Sequence, residues 1–188
     1  MKTLYIDATV RENSRTAVLA SHLLERLGGD VTQLRLEETS MPVTDSAYLA
    51  KRNQACAARD FSDPMFDLAK AFAAAEQIVI AAPFWDLSFP ASLKQFFEHI
   101  NVIGLTFAYN EAGNPYGLCN AKRLYYVTTA GGQIFSEAYG FGYVQALANR
   151  FYGIGECVMC KAEGLDIAGA DVEQILADAK QTIDQMFA

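Results

Sequence analysis

QIVIAAPFWDLSFPASLKQFFEHI, residues 77–100, decides the fold. It opens on an apolar run with almost no polar alternation, the pattern of a parallel strand covered on both faces at the centre of a sheet. It closes on a helical period, with Leu93, Phe96, Phe97 and Ile100 on a stripe that Ile103 continues. Pro90 stands at or before the first turn of that helix, where a missing amide hydrogen costs nothing. Between strand and helix lies PFWDLSFP, whose large aromatic groups expose apolar surface unless they roof the sheet or meet something flat.

Working outward, the same alternation recurs. TLYIDAT reads as a first strand and ENSRTAVLASHLLERLGGD as a helix, with Thr16, Leu19, Ala20, Leu23, Leu24 and Leu27 at helical spacing. Ser14 is placed to cap that helix and Gly28-Gly29 to end it. VTQLRLE is a second strand. A mixed, surface-like region follows, with a short helix expected over residues 46–57, and Asp63-Pro64 start a helix carrying Phe66, Ala69 and Phe72. Beyond residue 100, a turn-rich excursion predicts a short hairpin over residues 111–115, KRLYYVTT a strand, AGGQIFSEAYG a glycine-bearing loop and FGYVQALANRFYGIG a helix. ECVMCKAEG is the last strand, and Val172, Ile175, Leu176, Ala179, Ile183 and Met186 form the stripe of a final helix. Strands alternating with helices, without repeats or low-complexity tracts, predict an open three-layer α/β architecture, with residues 1–188 as one domain.

The 15 Lys plus Arg against 22 Asp plus Glu, a formal charge of −7, give no reason to expect a nucleic-acid partner. MKTLYIDAT reaches an acidic residue before any long apolar core, and no window is long and apolar enough to insert in a membrane, so the expected location is cytoplasmic. Cys56, Cys119, Cys157 and Cys160 are too unevenly placed for a disulfide scaffold. The CVMC pair lies inside an apolar strand pattern, which reads as core thiols, and no metal site is expected.

Ligands of open α/β sheets bind beyond the carboxyl ends of the strands. Three loops meet that rule. ATVRENSRT combines Thr9, Arg11, Asn13, Ser14, Arg15 and Thr16 with a helix start able to hold a phosphate, though it lacks the Gly-rich dinucleotide and Walker A patterns. On its own it reads more simply as an N-cap with solvent-facing arginines. PFWDLSFP either roofs the sheet or offers backbone amides to the polar edge of an aromatic cofactor. TTAGG, residues 128–132, permits close backbone approach or merely turns the chain.

Together the three loops resemble those of the flavodoxin-like NAD(P)H oxidoreductases, in particular the FMN-dependent NADH-azoreductase and quinone reductase group. ENSRT stands where that family has a serine-rich phosphate loop. Pro83 to Pro90 with LKQFFEHI is similar to the family's P-x-(Tyr or Trp)-N-(Phe or Leu)-x-x-P followed by LKxFxD. GLCNAKRLYYVTTAGG, residues 117–132, matches GLxxxKxxxxxxxxGG, and the likeness continues to the final helix. The resemblance implies a flavodoxin-like three-layer sandwich on a five-stranded parallel sheet of order 2-1-3-4-5. It also implies bound FMN, with NADH or NADPH as donor and quinones, azo compounds or similar flat acceptors in ping-pong turnover, and a homodimer. By the same resemblance Thr9, Arg11, Ser14, Arg15 and Thr16 gather round the phosphate. Pro83, Phe84, Trp85, Asp86 and Leu87 follow the pyrimidine side and N5 edge of the ring, and Thr128, Thr129, Ala130, Gly131 and Gly132 line its other polar edge.

Because the flavin carries the redox chemistry, no catalytic side chain is expected. Tyr109, Tyr116, Phe135 and Tyr139 are candidates for an aromatic wall over the site, and His22 and His99 for structural roles. The one departure is Asp86, where the family has asparagine; a carboxylate cannot donate the hydrogen bonds of an amide. Competing readings are a free-flavin or metal-ion reductase using the same FMN, a one-electron flavodoxin-like carrier, and a binding module that has lost FMN.

Overall fold

The expected apolar run is β3 (Gln77–Ala81), and every one of its residues is buried. In this computed structural model, which describes residues 1–188, its two faces feed two separate cores. Ile78 and Ile80 pack among Phe66, Phe72, Phe96, Phe97 and Tyr152, whereas Val79 and Ala81 pack among Leu19, Leu23, Ala179 and Ile183. A period-2 strand that is apolar at every position has no solvent face, so it takes the middle of the sheet.

The chain runs β1 (Lys2–Asp7), α1 (Arg15–Leu27), β2 (Asp30–Arg35), α2 (Ser46–Ala58), α3 (Asp67–Ala74), β3, α4 (Ala91–Ile100), β4 (Phe107–Tyr109), β5 (Pro115–Gly117), β6 (Arg123–Thr129), α5 (Phe141–Leu147), β7 (Glu156–Ala162) and α6 (Val172–Gln185). The five long strands form one parallel sheet in the order β2-β1-β3-β6-β7, the flavodoxin-like order expected. Helices α1 and α6 cover one face; α3, α4 and α5 cover the other. β4 and β5 pair antiparallel as a separate hairpin, so the turn expected over residues 111–115 is present. Strand order reverses at β1, whose neighbours are β2 and β3, and the loops leaving β1 and β3 therefore diverge to opposite sides of a crevice.

Ser14 caps α1, accepting the Ala17 amide at 3.2 Å, and Gly28 ends it at φ 60°. Asp63 caps a 3₁₀ turn over Pro64–Phe66 before α3 begins, a tighter start than the single helix expected. Past α5 the chain widens into a π turn, Ala148–Tyr152, closed by Gly153 at φ 72°. The hairpin packs there so closely that a Cβ on Gly117 would sit 2.2 Å from the Tyr152 carbonyl oxygen. Met186 departs from the expected stripe: α6 ends at Gln185, so Met186 falls outside the helix and is exposed. Cys157 and Cys160 point to opposite faces of β7, one into each core, and all four thiols are free. Burial pushes Cys157 and Cys160 up to about 11 and Cys119 to about 12. No helix is long and apolar enough to cross a membrane.

Candidate functional site

The loop after β1 is built from its own carboxylate outward. Asp7 is buried, and its Oδ1 accepts the Thr9 amide at 2.9 Å and the Thr9 hydroxyl at 2.7 Å, while Oδ2 accepts Gln33 Nε2 at 3.1 Å. These bonds turn Thr9 inward beneath the loop, so of the expected phosphate residues Thr9 does not line the cavity. Val10, Arg11, Asn13, Ser14, Arg15 and Thr16 do. The Arg15 and Thr16 amides head α1 without an acceptor in the chain, as the first amides of a helix must, and they bring its positive end to the cavity. The Thr16 hydroxyl meets that of Thr129 at 2.6 Å, which ties α1 to the carboxyl end of β6.

Beyond β3, Ala82 N–H donates to Val127 O and Phe84 N–H to Thr129 O, so the loop first prolongs the strand pairing with β6. It then reverses in two residues. Trp85 and Ser88 exchange backbone hydrogen bonds, Trp85 N–H to Ser88 O at 3.1 Å and Ser88 N–H to Trp85 O at 2.7 Å. Asp86 and Leu87 between them take φ 49° and 68°. Two positive φ values in a two-residue reversal make a type I′ turn, whose first position favours Asn or Asp and whose second favours Gly. The aspartate is thereby explained as backbone chemistry. Its side chain and that of Leu87 are exposed and outside the cavity lining, unlike Pro83, Phe84 and Trp85. The Phe84 and Trp85 amides are taken up within the chain, which leaves those of Asp86 and Leu87 as the free donors.

The third loop divides similarly. Thr129, Ala130 and Gly131 line the cavity; Thr128 is buried in β6, and Gly132 is exposed beyond the lining. The alternation of a strand accounts for Thr128: it shares the inward face of Tyr126, two residues earlier. The Gly131 and Gly132 amides have no acceptor in the chain.

A fourth loop was not foreseen. After β7, Leu165 and Asp166 complete the wall, zipped to the third loop by Leu165 N–H to Ala130 O at 3.2 Å and Asp166 N–H to Gly131 O at 2.9 Å. The one signal in the sequence was positional, since GLD follows a strand at the same sheet end as the other three loops. Arg15 reaches across to this loop, donating to Leu165 O at 3.0 Å and to Asp166 Oδ1 at 2.8 Å. Arg11 has no acid partner, and its guanidinium lies 6.0 Å from the centre of the Trp85 ring, across the cavity. The space enclosed is about 250 Å³.

The expected aromatic wall separates in two. Phe135 and Tyr139 are exposed on the segment after Gly132, and the Tyr139 carbonyl accepts the Ser88 hydroxyl at 2.6 Å, next to the turn. Tyr109 and Tyr116 instead line a different hollow with Cys56, Phe61 and Ile103, because the β4–β5 hairpin packs toward α2 and the π turn. Neither histidine lines the cavity. His99 is buried between Tyr48 Oη and Pro42 O, each at 2.9 Å, and His22 pairs with Asp184.

The family model described as flavodoxin-like fold matches residues 1–187. An FMN-dependent NADH:quinone oxidoreductase of Coprothermobacter proteolyticus is 30% identical over 98% of this chain and 97% of its own length. One from Pseudomonas savastanoi pv. phaseolicola is 29% identical over 100% of both chains. Among solved structures, an azoreductase from Bacillus anthracis superposes with a TM-score of 0.83 at 21% identity, covering 99% of this chain and 98% of its own. An FMN-dependent NADH-azoreductase from the same organism, in complex with FMN, gives 0.80 at 20% identity over 100% and 99%. At those identities the structural likenesses concern the fold.

Proposed function

The chain belongs to the family of flavodoxin-like fold whose model spans it, and on that premise we propose an FMN-dependent oxidoreductase passing electrons from NADH to quinones, azo compounds or similar flat acceptors. The observation that carries the proposal is the set of groups lining one cavity. The α1 amides, Ser14 and Arg11, which has no acid partner, suit a phosphate. Trp85, Phe84 and the free amide of Gly131 suit a flat ring with a polar rim, and the free amides of Asp86, Leu87 and Gly132 stand on the same loops beyond the lining.

FMN, when bound, supplies the acceptance of a hydride from the nicotinamide and its delivery to the acceptor. The chain's part is to place and shield. The α1 terminus and Arg11 would hold the anionic end, the Phe84 amide ties the loop to β6, and the type I′ turn leaves two amides free that would be available to the ring's edge. Tyr139, exposed beside the turn, is the group available to stack on flat substrates, with Phe135 exposed on the same segment. NADPH is a second donor to be tested beside NADH. The homodimer is supported by the exposed Ile103, Tyr109, Tyr116 and Leu118, which gather around the second hollow and favour burial against a partner. Four free thiols accord with a cytoplasmic location.

Trp85 is the sole tryptophan and lines the cavity, so intrinsic fluorescence reports directly on the site. Titration with FMN should quench it saturably. Unchanged emission, with FMN that separates from the protein on gel filtration, contradicts the proposal.

A further inference from the structure

The two arginines of the cavity are not equivalent. Arg11 has no carboxylate partner and rests over Trp85, whereas Arg15 is committed to the fourth loop through Leu165 O and Asp166 Oδ1. The Asp166 carboxylate is one of the cavity's own walls, and its second oxygen hangs over Gly131 so closely that a Cβ there would approach to 2.3 Å. Its backbone amide is fixed to Gly131 O as well. Its place is therefore set three times over, by Arg15, by the Gly131 carbonyl and by the missing side chain of Gly131. The ion pair is partly in water, with side-chain exposures of 35% and 65%, so it is worth little as a prop for stability. Its consequence is for charge, because the carboxylate offsets one of the two guanidinium charges facing the cavity.

We propose that Asp166 is a specificity-determining residue of the FMN site: by holding Arg15 it leaves Arg11 and the α1 terminus to recognise the ligand's phosphate, and so limits how strongly the chain prefers FMN over riboflavin. Arg15 is then a positioning residue that straps α1 to the fourth loop. The inference rests on the FMN reading above, and riboflavin, which carries the same ring and ribityl chain without the phosphate, isolates the phosphate's share of binding.

The test measures dissociation constants of FMN and of riboflavin, by the flavins' own fluorescence, for the wild-type chain and three variants. Asp166→Asn keeps the size of the side chain and removes its charge; Arg15 retains its bond to Leu165 O and becomes free to act on the phosphate. The preference for FMN should rise about tenfold, the scale of one charge-assisted contact. Arg11→Met should lower that preference about tenfold. Removing the pair together, Arg15→Met with Asp166→Asn, leaves the cavity's net charge as it was and should weaken both flavins by the same factor with the preference unchanged. An unchanged or lowered preference in Asp166→Asn overturns the proposal, as does a double variant that loses preference in the way Arg11→Met does. If Asp166→Asn alone fails to fold, the contrast between Arg11→Met and the double variant still decides. Failure of the FMN reading itself has a different signature, a wild-type chain that binds neither flavin saturably.

Discussion

Leu87 carries a φ of 68° on a γ-branched side chain half exposed to water, in a turn position that glycine occupies without strain. Left-handed backbone costs an ordinary residue about 1–2 kcal/mol. Leu87→Gly should therefore stabilise the fold by up to about 1 kcal/mol after the entropy lost by a freer unfolded chain, raising the thermal midpoint by roughly 2–4 °C. A lower midpoint would show that the leucine is held by a contact that outweighs its strain. Asp86→Asn belongs to the same turn and has a different expectation. Its side chain lies outside the cavity, so FMN affinity should change by less than about twofold while the turn accepts either residue. At this scale the sequence exposed the anomaly at position 86 and concealed its cause, because nothing in PFWDLSFP distinguishes a side chain aimed at a ring from one that serves a positive φ. Thr9 differs from its loop neighbours for a related reason: hydroxyls in a loop start look alike until the carboxylate of Asp7 claims one of them.

Among elements, α1 and β6 are joined at the site by a single pair of hydroxyls. Thr16 and Thr129 are both buried and bond only to each other through their side chains, across 2.6 Å. Thr16→Val keeps the shape and leaves the Thr129 hydroxyl without a partner, at a cost of about 1–3 kcal/mol. The double variant with Thr129→Val should recover most of that loss, and chemical denaturation of the four chains measures the coupling; additive losses would mean the hydroxyls do not depend on each other. Strand β7 makes a separate prediction. Unfolded thiols titrate near the ordinary 9.0, whereas burial pushes Cys157 and Cys160 up to about 11 and Cys119 to about 12. Between those values the folded chain keeps protons that the unfolded chain releases, so stability from these groups is complete below pH 9 and falls as pH rises through the folded values. Thiolate absorbance should appear at higher pH in the native chain than in the chain unfolded by urea, and coincident titrations would contradict the burial. These elements were legible in the sequence because their apolar periods are long. The 3₁₀ start before α3 and the π turn after α5 were not, because tertiary packing sets them: Gly117 against Gly153 is a contact between segments 36 positions apart.

For the whole molecule, the sheet order places four loops at one end, and three of them were visible in advance because each carried unusual composition. The fourth, after β7, has ordinary residues and gains its part from topology alone, through the zipper to Ala130 and Gly131 and the reach of Arg15. A cavity assembled from loops on both sides of a switch point suits a resident cofactor better than a passing ligand, since its walls are held to one another before anything enters. The central claim is that FMN in this cavity carries electrons from NADH to a flat acceptor, and the most direct test separates the two halves of that turnover. The FMN-loaded chain, kept without oxygen, should lose its yellow visible band on addition of NADH alone and regain it on addition of a quinone. A flavin band that persists in the presence of NADH, or that bleaches and is not restored by quinone or azo acceptors, would contradict the account.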